Sequence, residues 1–104
     1  MINSAGFKIW PREVEEVLYQ HPAIQECAVA GVPDPIKGEI TKAYVVLRDG
    51  GQTTEQELDT YCRGRLAAYK VPRVFAFVDQ LPKNAAGKVL KRLLREQEAA
   101  APKA

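Results

Sequence analysis

The stretch Ile24-Gln25-Glu26-Cys27-Ala28-Val29-Ala30-Gly31-Val32-Pro33-Asp34-Pro35-Ile36-Lys37-Gly38-Glu39-Ile40-Thr41-Lys42-Ala43-Tyr44-Val45-Val46-Leu47-Arg48 decides the fold. Its first nine residues are mostly apolar, the pattern of a strand covered on both faces. Pro33-Asp34-Pro35 breaks that run, because proline brings no N–H to a ladder and Asp favours turns. Gly38-Glu39 leads into a second strand over residues 41–48. There Ala43, Val45 and Leu47 share one face, and Tyr44 and Val46 the other. Two strands joined across a short turn read as an antiparallel pair.

Working outward to the C-terminal side, Asp49-Gly50-Gly51 is a turn, and Thr54 with Glu57 is a capping box. Leu58, Tyr61, Cys62 and Arg65 or Leu66 then follow helical spacing. Tyr69-Lys70-Val71-Pro72 is a loop, and residues 73–79 are a third strand, with Val74, Ala76 and Val78 opposing Phe75 and Phe77. A strand, a helix and a further strand imply a parallel crossover. A second polar loop runs from Leu81 to Gly87, and a last helix is expected from Lys88 through Leu90, Leu93, Leu94 and Gln97.

To the N-terminal side, Pro11 suits a first helical position. Glu13, Glu15 and Glu16 crowd the first turns, where carboxylates favour the helix dipole. Val14, Val17, Leu18 and His21 mark the apolar stripe, and Pro22 stops the helix. The first ten residues read as a hairpin turning at Ser4-Ala5-Gly6. The expected class is therefore α+β: a small mixed three-stranded sheet with packed helices, preceded by a short β-hairpin. Residues 1–98 form one domain in this reading, and 99–104 a frayed tail. Val17, Leu18, Val45, Leu47, Phe75 and Leu90 are expected to share one core.

A chain of 104 residues has the size of one domain. Apolar residues at 46% and charged residues at 27% exclude disorder throughout. The longest apolar run is residues 43–47, far below the roughly 18 a spanning helix needs. The N-terminus lacks the basic start and apolar stretch of a signal peptide. A cytoplasmic protein is expected, with Cys27 and Cys62 as reduced core thiols. A net charge of +2 does not by itself imply nucleic acid. His21, the one histidine, reads as a capping or surface residue, and no metal site is expected.

Two segments carry chemistry. Pro82-Lys83-Asn84-Ala85-Ala86-Gly87-Lys88 ends in a Gly-Lys pair, but it is not a P-loop: Pro82 stands where glycine is required, and Val89 where Ser or Thr would hold magnesium. Lys88 is open to two readings, a solvated surface lysine or a mobile point charge that meets a phosphate or carboxylate. Lys83, Lys91, Arg92 and Arg95, with Lys70 and Arg73, are either solvated or face an anionic partner. No aromatic residue interleaves with the cluster around Lys88, which argues against single-stranded nucleic acid. The second segment is Asn3-Ser4-Ala5-Gly6-Phe7, followed by Lys8, Trp10 and Arg12. It is either a plain hairpin turn with Phe7 and Trp10 in the core, or a place where a ligand nears the backbone.

Four segments together resemble one family. They are residues 4–15, from Ser4-Ala5-Gly6-Phe7-Lys8 to Glu15; Val32-Pro33-Asp34 with Gly38-Glu39; Tyr69-Lys70-Val71-Pro72; and Leu81-Pro82 with Gly87-Lys88, running on to Lys91-Arg92. The chain resembles the C-terminal domain of an adenylate-forming acyl-CoA synthetase, with the texture of fatty-acid–CoA ligases. The resemblance implies a two-step reaction: a carboxylic acid and ATP give an acyl-adenylate and pyrophosphate, then coenzyme A displaces AMP. A large N-terminal domain would bind the fatty or related acid and most of the ATP with its magnesium. The small domain would rotate between the steps. Lys88 would be the adenylation lysine. Ser4, Ala5, Gly6 and Phe7 would line the pantetheine passage, and Lys8 would touch the nucleotide or acyl-adenylate. An acetyltransferase acting on Lys88 would be a further partner.

The family often has Thr or Ser where Asn84 and Ala86 stand, which leaves open how this loop is hydrogen-bonded. Met1 falls where the resemblance places the interdomain hinge, so an excised domain, inactive alone, is expected. The alternatives are a stand-alone binding or regulatory module, and an adenylation domain that loads a carrier protein.

Overall fold

The computed structural model describes residues 1–94. In chain order the elements are β1 (Ile2–Ser4), β2 (Phe7–Ile9), α1 (Pro11–Tyr19), β3 (Ile24–Asp34), β4 (Gly38–Leu47), α2 (Glu55–Arg63) and β5 (Val74–Phe77). A single 3-10 turn at Ala68–Lys70 precedes β5.

β4 is the axis of the sheet. It pairs antiparallel with β3 from Ile24↔Leu47 to Asp34↔Gly38, and parallel with β5 from Lys42↔Val74 to Val45↔Phe77. The expected α+β class and mixed sheet hold. The hairpin, however, is part of the sheet: β1 meets the start of β4 at Ser4↔Gly38. The Ala5 N–H donates to the Lys37 carbonyl at 2.9 Å, and the Asn3 N–H to the Glu39 carboxylate at 3.0 Å. The turn between β3 and β4 is also tighter than expected. The Asp34 carboxylate accepts the N–H groups of Ile36 and Lys37, so the ladder continues through Pro33 and Asp34.

Alternation along β3 and β4 makes two apolar layers. On one face, Val29, Ala43, Val45 and Phe75 meet Val14 and Leu18 of α1 and Leu58 and Cys62 of α2, and the hairpin adds Ile2 and Ile9. On the other, Ala28, Ala30, Tyr44 and Val46 are covered by Leu81, Val89 and Leu94. The expected single core is therefore divided. Leu18, Val45 and Phe75 are buried together with Leu47 against them, whereas Val17 is only half-buried and Leu90 is half-buried outside both layers. A sheet with apolar residues on both faces needs two covers, and the segment after Leu81 is the second.

Side chains take up polar backbone groups on two edge strands, β3 and β5. On β3, the Val29 N–H donates to Glu15 at 2.8 Å and the Tyr19 hydroxyl to the Cys27 carbonyl at 3.4 Å. On β5, the Phe75 N–H donates to Glu55 at 3.2 Å. Unpaired edge amides invite pairing with other chains, and these contacts occupy them. The glutamates of α1 thus do more than favour its dipole: Glu13 holds Lys70 at 2.7 Å, and Glu16 pairs with Arg12 at 3.5 Å.

The last helix starts later than its periodicity implies. Lys83 and Val89 form an antiparallel bridge, the Leu90 N–H donates to the Pro82 carbonyl at 2.8 Å, and helical residues begin at 91. Lys88 therefore lies in a hairpin-like loop, three residues before the helix begins, and not within its first turn. Gln97 and the expected frayed tail lie outside the described residues. Among the described residues, no helix is long and apolar enough to cross a membrane.

Candidate functional site

The β1–β2 register pairs Ser4 with Phe7 and leaves Ala5-Gly6 as a two-residue loop. Both carry positive φ, 50° and 85°, as a type I′ turn demands. Glycine suits its position for that backbone reason. A Cβ placed on Gly6 would meet nothing within 4 Å, so within this domain nothing crowds it. Neither Phe7 nor Trp10 enters the core: they are 53% and 59% exposed. Only Ile2 and Ile9 of the hairpin point inward, and Phe7 lies beyond the rim of that layer, stacked on Tyr69 with ring centroids 4.8 Å apart.

Ser4, Ala5 and Phe7 line one wall of a cleft of about 450 Å³. Lys37, Arg63, Tyr69 and Arg73 line it further with Asp59, and Ala68, Val71 and Pro72 complete it. Gly6 is at the tip of the turn and, like Lys8, is exposed and does not line the cleft. Arg63 is held 2.7 Å from Asp59, and this hydrogen bond raises the guanidinium pKa further. Lys70 lies over the Tyr69 ring at 5.6 Å, and its hydrogen bond to Glu13 raises the ammonium pKa. Sequence reasoning singled out Lys70 and Arg73 as basic but did not join them to the hairpin. It missed Lys37 and Arg63. The signal for Arg63 was the run of cations and Tyr69 at 63–73, whose 3-10 turn meets β2; Lys37 is brought in by the contact of the hairpin with the β3–β4 turn.

Lys88 is elsewhere. Its loop is anchored by Leu81 and Val89 on the face opposite the one that receives Ile2 and Ile9. The structure does not bring Lys88 together with Ser4, Ala5, Gly6, Phe7 and Lys8. Asn84 organises the loop. Its side-chain oxygen accepts the Ala86 and Lys88 N–H groups at 2.9 and 3.0 Å, its own N–H donates to the Lys88 carbonyl at 3.0 Å, and its carbonyl accepts the Gly87 N–H at 2.9 Å. An amide thus supplies the order that a hydroxyl would give. Gly87 takes φ +82°, which favours glycine. Lys88 is exposed, and its ammonium forms no ion pair among the described residues. Its basic neighbours differ: Lys83 is paired with Glu26 and Lys91 with Glu15.

The remaining candidates are structural. Cys27 and Cys62 are free and buried, and burial pushes their thiols up to about 12 and about 11, so both stay protonated at neutral pH and are poor nucleophiles. His21 caps the turn after α1: its Nδ1 accepts the Ala23 N–H at 3.1 Å, and its ring meets Tyr61 edge-on at 4.8 Å.

Residues 13–88 match the model of the AMP-binding enzyme C-terminal domain. The chain is 54% identical over 98 residues to a long-chain-fatty-acid–CoA ligase of Bacillus subtilis (strain 168), an alignment covering 94% of this chain and 18% of that protein. Its backbone matches a Mycobacterium tuberculosis fatty acyl CoA synthetase with TM-score 0.91 and 43% identity, over 96% of this chain and 20% of that one. It matches o-succinylbenzoate CoA synthetase of Bacillus subtilis, solved with its acyl-adenylate intermediate, with TM-score 0.81 and 43% identity, over 98% of this chain and 20% of that one. The chain spans about a fifth of the length of the relatives it matches. With residues 13–88 inside the family model and the whole fold shared, the chain belongs to the AMP-binding enzyme C-terminal domain family.

Proposed function

We propose that this chain is the mobile C-terminal domain of an ATP-dependent, AMP-forming fatty-acid–CoA ligase, and that it serves the two half-reactions with two different surfaces. In the first, the acid's carboxylate attacks the α-phosphorus of ATP and pyrophosphate leaves. Lys88 is the catalytic residue this domain contributes: its ammonium bridges carboxylate and phosphate oxygens and stabilises the charge that develops between them. In the second, the CoA thiolate attacks the acyl carbonyl and AMP leaves. Ser4, Ala5, Gly6 and Phe7 line the pantetheine passage, and Lys8 reaches the nucleotide or acyl-adenylate. The large N-terminal domain holds the acid and most of the ATP with its magnesium.

One observation carries the reading: among the described residues Lys88 has no carboxylate partner and stands on a loop ordered by Asn84, while Lys83 and Lys91 on either side are paired. A preordered, uncompensated cation suits developing negative charge better than a mobile one. The cleft beside the hairpin supports the second role. CoA carries an adenine and several phosphates, and the cleft offers stacked aromatic rings with Lys37, Arg63 and Arg73. Acetylating Lys88 would remove its charge, so an acetyltransferase acting on this exposed loop would silence the first step alone.

The test uses the full-length enzyme with a fatty acid, ATP and magnesium, and either CoA or an acyl carrier protein. The reading expects pyrophosphate, AMP and acyl-CoA in equal amounts. Thioester on the carrier alone points to a carrier-loading enzyme, and no turnover with either to a binding module. Lys88→Arg should not restore what Lys88→Ala loses, because the guanidinium fork is wider than an ammonium.

A further inference from the structure

Charge clips both stems of the Lys88 loop to the open edge of the sheet. The Lys83 ammonium meets Glu26 of β3, and the Lys91 ammonium stands 2.8 Å from Glu15 of α1. Lys83 lies on one side of the Lys83↔Val89 bridge and Lys91 just past the other. The clips therefore flank Lys88. Glu15 is itself fixed, since it also accepts the Val29 N–H at 2.8 Å. The Glu15 and Glu26 side chains are only 19% and 25% exposed, so these pairs are screened less than free surface pairs. Residues 83–88 are all exposed, so no buried side chain fixes the loop between its stems.

We propose that Glu15 and Glu26 are positioning residues for the adenylation step. They hold Lys83 and Lys91, and so set the direction from which Lys88 reaches the reacting oxygens. The inference rests on the Lys88 role proposed above. Neither glutamate touches the reacting atoms. Each acts through a stem, and charge stabilisation depends steeply on placement.

The experiment measures the two half-reactions separately in the full-length enzyme. Glu15→Gln keeps an acceptor for the Val29 N–H, and Glu26→Gln keeps the side chain's shape. The double variant should slow adenylation about 3- to 10-fold, the scale of two partly exposed ion pairs. Thioester formation from preformed acyl-adenylate should be unchanged, and amide exchange over residues 84–88 should quicken. Lys83→Met with Lys91→Met removes the clips from the loop side and should do the same if the glutamate variant does not fold. Exchanging the charges, Glu26→Lys with Lys83→Glu, should restore much of the rate lost by Glu26→Gln. Unchanged adenylation and exchange in both double variants, with Lys88→Ala still defective, would overturn the positioning role alone. So would slowing of both half-reactions without rescue, which marks a merely structural contact. An unaffected Lys88→Ala enzyme would overturn the catalytic reading, and the positioning role with it.

Discussion

The Ser4–Phe7 turn and the Lys88 loop are built alike at their tips and differently at their roots. Each turns on a glycine of positive φ, Gly6 at +85° and Gly87 at +82°, and neither glycine has an atom within 4 Å of where a Cβ would stand. The hairpin is rooted by Ile2 and Ile9, fully buried in the layer shared with α1 and α2. The Lys88 loop is rooted on the opposite face by Leu81 and Val89, and ordered by the Asn84 amide and two ion pairs. Apolar burial gives the hairpin a rigid base indifferent to salt. Polar contacts give the lysine loop a base that charge can tune. The two loops are rooted in opposite layers of the sheet, which fits a domain that uses them one at a time.

The roots can be tested first, and the largest effect lies on the hairpin side. Ile9→Ala should destabilise the domain by about 2–5 kcal/mol, and Leu81→Ala should fall at the low end of that range because its layer is smaller. Thermal unfolding of the 104-residue chain checks this, and should show one cooperative transition. A larger loss for Leu81→Ala would reverse the ranking of the two faces. At the tips, Gly6→Trp should slow the CoA-dependent step on the order of 10²-fold, the cost of displacing a reactant by about an ångström. A Cβ there meets nothing within 4 Å in this domain, and the backbone strain of a side chain at φ +85° should appear as a loss of stability, separate from a block of the passage. Separate assays of pyrophosphate release and thioester formation distinguish this from misfolding. Asn84→Ala should slow adenylation about tenfold by releasing the loop's amide contacts, and leave the second step intact.

How far these features could be read in the sequence depended on the range of the interactions. The β3–β4 pair, the Pro11 start of α1 and the Thr54 cap of α2 were legible because each is written within a few residues. The Glu57 N–H does donate to the Thr54 hydroxyl at 3.1 Å. The start of the last helix was misplaced because Asn84 and the Lys83↔Val89 bridge outcompete helical periodicity at Val89 and Leu90. Phe7 and Trp10 were ambiguous because alternation says which face a side chain takes, not whether the core reaches that far. Arg63 could not be joined to the hairpin because the crossover unites residues far apart in sequence, nor Lys37, because the β1–β4 contact that brings it there is long-range too. Glu15 and Glu26 looked like ordinary surface charge, since nothing local shows which lysine a carboxylate will meet.

The smallest effect concerns the hairpin-side layer, which contains both thiols. Cys27 and Cys62 are raised from 9.0 to about 12 and about 11, chiefly by burial. A raised folded pKa favours the protonated native state. That stability is complete below pH 9 and is lost as the pH climbs towards 11 and 12. At pH 10 the loss should be about 1 kcal/mol per thiol relative to pH 8. A Cys27→Ala, Cys62→Ala variant should show a shallower decline in Tm over that interval.

The most direct test is a pair of single-turnover rates, adenylate formation and thioester formation from preformed acyl-adenylate, in the full-length enzyme and its Lys88→Ala and Gly6→Trp variants. Lys88→Ala should lose roughly 10²–10³-fold in the first rate and keep the second, as expected when one preorganised charge-stabilising group is removed. Gly6→Trp should keep the first and lose the second. Equal losses in both rates for either variant, or two unchanged rates for Lys88→Ala, would contradict the division of the reaction between the two loops of this domain.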